Sequence, residues 1–212
     1  MIELLNVLQQ TPEFTQLKKN MADGRKEHVI YGLSDSSLSF VMSGVAFESG
    51  GPVLVITHDE HRARSIRRDI AGILSGIEVL QFPVWELLPY QVFMQSRESL
   101  ADRLSVLDGL CSGKSIIVAA SVEALLRSLT PPKIFCKAKL NLTRGDRIDP
   151  DQLLYRLAQW GYERVDLVEG PGHFSVRGGI VDIFPLTQGY PVRIEFFDDE
   201  VDSVRGFSVA TQ

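Results

Sequence analysis

Long apolar runs are missing from this chain of 212 residues. No stretch approaches the ~18 consecutive apolar residues of a membrane-spanning helix, so none is expected. The opening Met1-Ile2-Glu3-Leu4-Leu5-Asn6 has no basic start followed by an apolar core, so no secretory leader is expected. Cysteine is scarce: Cys111 and Cys136 stand far apart and form no metal or redox spacing. These absences suggest a reducing, cytoplasmic setting. A basic surplus is missing too. The net charge of −5 argues against a dedicated nucleic-acid binder, although it leaves room for a local basic patch. Internal repeats and low-complexity tracts are also absent. What remains is ordinary for a globular protein: 44% apolar and 23% charged residues, and a length that suits one or two domains.

A nucleotide site is missing where the pattern invites one. His28-Val29-Ile30-Tyr31 reads as a short strand, Gly32 to Ser39 as a turn, and an apolar helical pattern follows through Val41, Val45 and Phe47. Strand, glycine-rich turn and helix N-terminus is the order of a phosphate-binding loop. That loop needs Gly, four residues, then Gly-Lys-Ser/Thr. Gly32 fits and Ser39 follows, but Ser37 replaces the second glycine and Leu38 replaces the lysine. Ser37 brings a Cβ where backbone must approach phosphate, and Leu38 carries no charge. The place reads as a degenerate loop that binds no ATP, so no cofactor is expected. Function is then sought in binding.

Strands alternate with helices up to residue 130. Pro52–Thr57 and Ser115–Ala120 read as strands buried on both faces, and Glu78–Phe82 as another short strand. A helix restarts at Thr11-Pro12-Glu13, a second runs from about Asp59 to Leu74, and a third carries Leu100, Leu104, Leu107 and Leu110 on one face. Val122–Leu129 reads as a short helix. This is an α/β pattern with a parallel sheet covered on both faces. Thr130-Pro131-Pro132 marks a boundary. Residues 131–212 read as a smaller α+β domain with an antiparallel sheet: a strand over 134–142, a helix from Asp149-Pro150 to Trp160, then strands over 163–168, 173–177, 179–184, 191–197 and 201–209.

Several local patterns tempt and then fail. Gly113-Lys114-Ser115 has Asp108 where a phosphate loop wants glycine, and it lies between a helix and a strand, so it reads as a plain turn. His58 and His61 beside Asp59 and Glu60 find no further ligands, so a helix start is the better reading. Arg62, Arg64, Arg67 and Arg68 lie mostly opposite the apolar stripe of their helix, which suits a solvated face or a binding patch. Alternation over 191–197 puts Val192, Ile194 and Phe196 on one face and Arg193, Glu195 and Phe197 on the other. Over 173–177 it puts Phe174 and Val176 inward, and His173, Ser175 and Arg177 outward. Arg177, Arg193 and Phe197 then share an outward face, with the composition of an interface anchor. The alternative is that the helix over 150–160 covers that face.

Arg177-Gly178-Gly179-Ile180-Val181-Asp182-Ile183-Phe184-Pro185, followed by Pro191 to Ser203, resembles a signature shared by the excinuclease component UvrB and the transcription-repair coupling factors. Gly161-Tyr162-Glu163-Arg164, Pro52–Asp59, Gln81–Pro89 and Ser115–Leu129 extend the likeness over nearly the whole chain. UvrB keeps an intact phosphate loop, and an aromatic-rich hairpin between the counterparts of Tyr90 and Leu104. Here Ser37 and Leu38 spoil the loop, and the short interval holds only Phe93 as an aromatic. The chain is therefore similar to the N-terminal, UvrB-like part of the coupling factors, which implies a piece of a longer protein. The resemblance implies a first domain over 1–130, related to the first domain of UvrB. It implies a second over 131–212 that recruits the excinuclease component UvrA through Arg177, Arg193 and Phe197. It implies no ATPase in this part and no metal. It also implies a monomer, whose longer parent engages RNA polymerase and DNA with an ATP-driven motor. The rivals are a UvrB-related ATPase or helicase fragment and a DNA-binding module built on Arg62, Arg64, Arg67 and Arg68.

Overall fold

Helix signals and structure agree at the start of the chain. A computed structural model describes residues 2–85 and 97–211. Helix α1 (Ile2–Gln9) is followed by α2 (Pro12–Ala22), whose Thr11 cap accepts a hydrogen bond from the Phe14 N–H. Helix α3 (Asp35–Ser49), strand β1 (Val53–Thr57), α4 (Glu60–Ile73), β2 (Glu78–Phe82), α5 (Arg97–Cys111), β3 (Ile116–Ser121) and α6 (Val122–Leu125) come next. The Asp59 carboxylate caps α4, accepting from the Arg62 N–H at 2.7 Å, and this bond holds its pKa below the ordinary carboxylate value. The strand expected over 28–31 does not form: Val29, Ile30 and Tyr31 are exposed and pair with nothing in the sheet. A strand needs a neighbour, and residues 28–31 pair with none of β1, β3 and β2. The strand half of the strand-turn-helix pattern is therefore absent.

The three-stranded sheet is parallel, in the order β1-β3-β2, with β3 buried along its whole length. One face packs Val53, Val55, Val79 and Ile117 against Ile66 and Ile70 of α4, Leu5 of α1 and Ala46 of α3. On the other face, Val106 of α5 and Ala124 of α6 cover Ile116, Val118, Ala120 and Phe82. That cover stops short of β1. Leu54 and Ile56 are 50% and 55% exposed, so Pro52–Thr57 is not a strand buried on both faces, and the sheet is covered fully on one face only. An apolar cleft of about 280 Å³ lies there, lined by residues that include Leu54, Leu107, Leu110, Leu125 and Leu129. The α5 stripe differs from the expected leucine row. Arg103, Val106 and Gly109 are the buried positions, and Leu110 is exposed. Gly109 sits where an added Cβ would come within 3.0 Å of Ile116 Cδ1. Phe47 also faces outward, and Ala46 takes the core position of α3. Helix α6 stops at Leu125, short of the expected Leu129.

The chain divides between Leu129 and Thr130, with the first part of α5, up to Ser105, grouped with the second unit. After the division, α7 (Pro132–Lys137) stands where a strand was expected over 134–142, because Pro132 at a first-turn position starts a helix. Helix α8 (Pro150–Gln159) follows its Asp149 cap and ends before Gly161 at φ +82°. Strands β4 (Glu163–Arg164), β5 (His173–Arg177), β6 (Ile180–Ile183), β7 (Val192–Phe197) and β8 (Glu200–Gly206) form one sheet in chain order. All pairs are antiparallel except the short β4–β5 contact, which is parallel. Leu153 and Leu157 of α8 pack on Phe174, Val181, Ile183, Ile194 and Val201. Tyr162 joins this core. Its hydroxyl accepts from the Leu186 N–H at 3.2 Å, and burial pushes its pKa up.

No helix among the described residues is long and apolar enough to cross a membrane.

Candidate functional site

Helix α8 covers the face of the five-stranded sheet that carries Phe174, Val181 and Ile194. The opposite face is the one alternation marked as outward, so the covering-helix alternative fails. Two tight turns bring its strand ends together. Gly178, at φ +60°, and Gly179 join β5 to β6; a Cβ on Gly179 would lie 2.9 Å from the Phe196 carbonyl oxygen. Asp198, at φ +59°, and Asp199 join β7 to β8. The ladder then places Arg177 opposite Ile180, Ile180 opposite Glu195, and Glu195 opposite Ser203. The adjoining row runs Ser175, Asp182, Arg193, Arg205. An irregularity in the β7–β8 ladder at Glu195/Phe196 accommodates one extra β8 residue, Asp202. That bulge lets Val201 face the core although Ser203 faces out.

Arg177, Arg193 and Phe197 therefore share one face, in three different environments. Phe197 is 82% exposed at the end of β7. Arg177 is exposed, and its guanidinium donates to the Asp166 carbonyl at 2.9 Å. Arg193 departs from the expectation of exposure, since its side chain is only 18% exposed. Its Nε and Nη2 donate to the two Asp182 carboxylate oxygens, each at 2.7 Å. Its guanidinium also lies over the Phe207 ring, 4.9 Å from the centroid. The Asp182 hydrogen bond raises the Arg193 pKa above its ordinary value. Along the strand, Phe197 is four residues from Arg193, about 13 Å at the rise of an extended chain.

The middle of this face is closed by partners that alternation alone did not identify. Asp182 and Ser175 are buried, and the Ser175 hydroxyl donates to the Asp166 carbonyl at 3.1 Å. Glu195 accepts from Ser203 Oγ at 2.8 Å and from the Arg205 guanidinium. One signal for Asp182 was present: an acid inside the apolar run Ile180-Val181-Asp182-Ile183, with an arginine at a matching parity on the next strand.

The degenerate loop has its own geometry. Gly32 sits at φ +76°. The Ser34 and Ser37 hydroxyls bond each other at 2.8 Å. Leu38 packs against the sheet core, and the buried Ser39 donates to Asp69 Oδ2 at 3.1 Å. Arg62 is tied to Asp35 at 2.8 Å, and His58 to Asp59 at 3.1 Å. No group of three or more potential metal-ligating side chains is assembled among the described residues. Gly113-Lys114-Ser115 is the helix-to-strand turn expected, with Gly113 at φ +68°. Tyr90 and Phe93 lie outside the described residues.

Residues 140–212 match the UvrB interaction domain family. The chain is 40% identical over 201 residues to a transcription-repair-coupling factor of Bacillus subtilis (strain 168), covering 95% of this chain and 17% of that protein. It is 34% identical over 193 residues to the transcription-repair-coupling factor of Staphylococcus aureus (strain USA300), covering 91% of this chain and 16% of that protein. The chain thus spans less than a fifth of the curated relatives it matches. The similarity is therefore to a part of the transcription-repair-coupling factors, and it includes the match of residues 140–212 to the UvrB interaction domain family.

Proposed function

We propose that this chain is the part of a transcription-repair coupling factor that recruits UvrA, and that it does no nucleotide chemistry of its own. In this reading residues 1–130 are a scaffold domain related to the first domain of UvrB. Residues 131–212 are the domain that docks the partner. Arg177, Arg193 and Phe197 are the contact residues, and a monomeric chain acting in the cytoplasm is the expected state. RNA polymerase, DNA and the ATP-driven motor are assigned to the longer parent protein.

The observation that carries the reading is Phe197. It is an aromatic with 82% of its surface in water, at the end of a strand inside the matched UvrB interaction domain. A large exposed aromatic on the same sheet face as arginines has the make-up of an interface hot spot. The inward packing of Leu38 and the Ser39–Asp69 bond support the absence of a phosphate site.

A pull-down tests the reading. Immobilised parent chain should retain UvrA, and Arg177→Ala or Phe197→Ala should lose it. Equal retention by all three would reject the site. Millimolar ATP with magnesium should leave the melting temperature unchanged, because a ligand of the folded state raises it. A clear rise would contradict the claim of no nucleotide site.

A further inference from the structure

Arg193 differs from Arg177 and Phe197 in being held from below. Two of its five N–H donors go to Asp182, whose side chain is 2% exposed. Its flat face rests on Phe207. Its cross-strand neighbour on β8 is Arg205, a like charge. Arg205 is turned to Glu195, and Asp182 pairs with Arg193 among the described residues. A buried ion pair is a poor source of net stability, because desolvation consumes most of the attraction. It does fix geometry. A free arginine loses rotamer freedom when a partner grips it. An arginine already clamped loses much less on binding.

We propose that Asp182 is a positioning residue for the docking face: with Phe207 beneath, it presets the plane of the Arg193 guanidinium, so that the N–H edge left over meets an acidic or carbonyl-rich surface on the partner already oriented. The proposal rests on the reading of Arg177, Arg193 and Phe197 as the contact for UvrA. Asp182 itself touches no partner.

The test is a double-mutant cycle read as affinity for UvrA. Asp182→Asn keeps the shape of the side chain and removes its charge. In the parent chain it should weaken binding about fivefold, the range expected for immobilising one long side chain. In an Arg193→Gln background the same change should alter affinity by no more than roughly twofold, because the group it acts through is gone. Phe207→Leu leaves the buried carboxylate alone and provides the same comparison should Asp182→Asn fail to fold; it should weaken binding roughly two- to fivefold in the parent only. Exchange of the Arg193 Nε–H with solvent, followed by NMR on the unbound chain, should be slow in the parent and faster in Asp182→Asn.

Equal weakening in both backgrounds would show a merely structural role and overturn the proposal. Parent affinity in both Asp182→Asn and Phe207→Leu would overturn it too, while Arg193→Gln still weakened binding and kept the docking reading intact. If Arg177→Ala, Arg193→Gln and Phe197→Ala all bound as the parent does, the docking reading would fall and the proposal with it.

Discussion

Leu54 and Ile56 on the three-stranded sheet and Phe197 on the five-stranded sheet are all exposed apolar side chains, but their surroundings differ. Leu54 borders an apolar cleft whose lining includes Leu107, Leu110, Leu125 and Leu129. No charge or hydrogen-bonding group gives that surface direction. Phe197 stands on a face whose neighbours are paired charges: Arg193 with Asp182, and Arg205 with Glu195. Apolar surface alone reports incomplete cover of β1, whose Leu54 and Ile56 stay exposed. An exposed aromatic among oriented charges has the composition of a recognition surface, because polar groups set geometry and the ring supplies area that contact would bury.

Core substitutions should separate the sheets most strongly. Phe174→Ala or Ile194→Ala removes a side chain packed beneath α8 and should cost about 3–4 kcal/mol in a denaturant melt, from the lost transfer energy and the cavity. A loss below about 1 kcal/mol would mean that this face is not a packed core. Next comes Arg193→Ala, which strands the Asp182 carboxylate and should cost about 2–3 kcal/mol of stability. Arg177→Ala and Phe197→Ala, exposed on the same face, should stay within about 0.5 kcal/mol.

The bare strand should respond least. Leu54→Ser and Ile56→Ser should each change stability by about 0.5 kcal/mol or less in this chain. A larger loss would show that the β1 face is covered in solution. The smallest effect is electrostatic. Asp59 has its pKa lowered by the Arg62 N–H, so its contribution is complete above the unfolded carboxylate pKa and is lost as pH falls through the lowered folded value. Asp59→Asn should remove that part of the acid dependence, and an NMR titration of the carboxyl should show the downward shift in the parent.

The helix caps were legible because they are local. Thr11-Pro12, Asp59 and Asp149-Pro150 each carry a side chain that accepts from the first turn. The outward placement of Arg177, Arg193 and Phe197 was legible because strand parity is local too. Burial on the second face of β1 was not, because it depends on how far α5 and α6 extend across the sheet. His28–Tyr31 failed as a strand for a related reason: it has the composition but no neighbour. The clamp on Arg193 needed the register between β6 and β7, which two strands read separately do not reveal.

The central claim is that the polar face of the five-stranded sheet, and not the apolar opening beside β1, engages the partner. Titration of UvrA into the parent chain, Phe197→Ala and Leu54→Ser tests it most directly. Phe197→Ala should lose about 2 kcal/mol, roughly thirtyfold in affinity, while Leu54→Ser should bind as the parent does. Undiminished binding by Phe197→Ala together with a marked loss in Leu54→Ser would contradict the account.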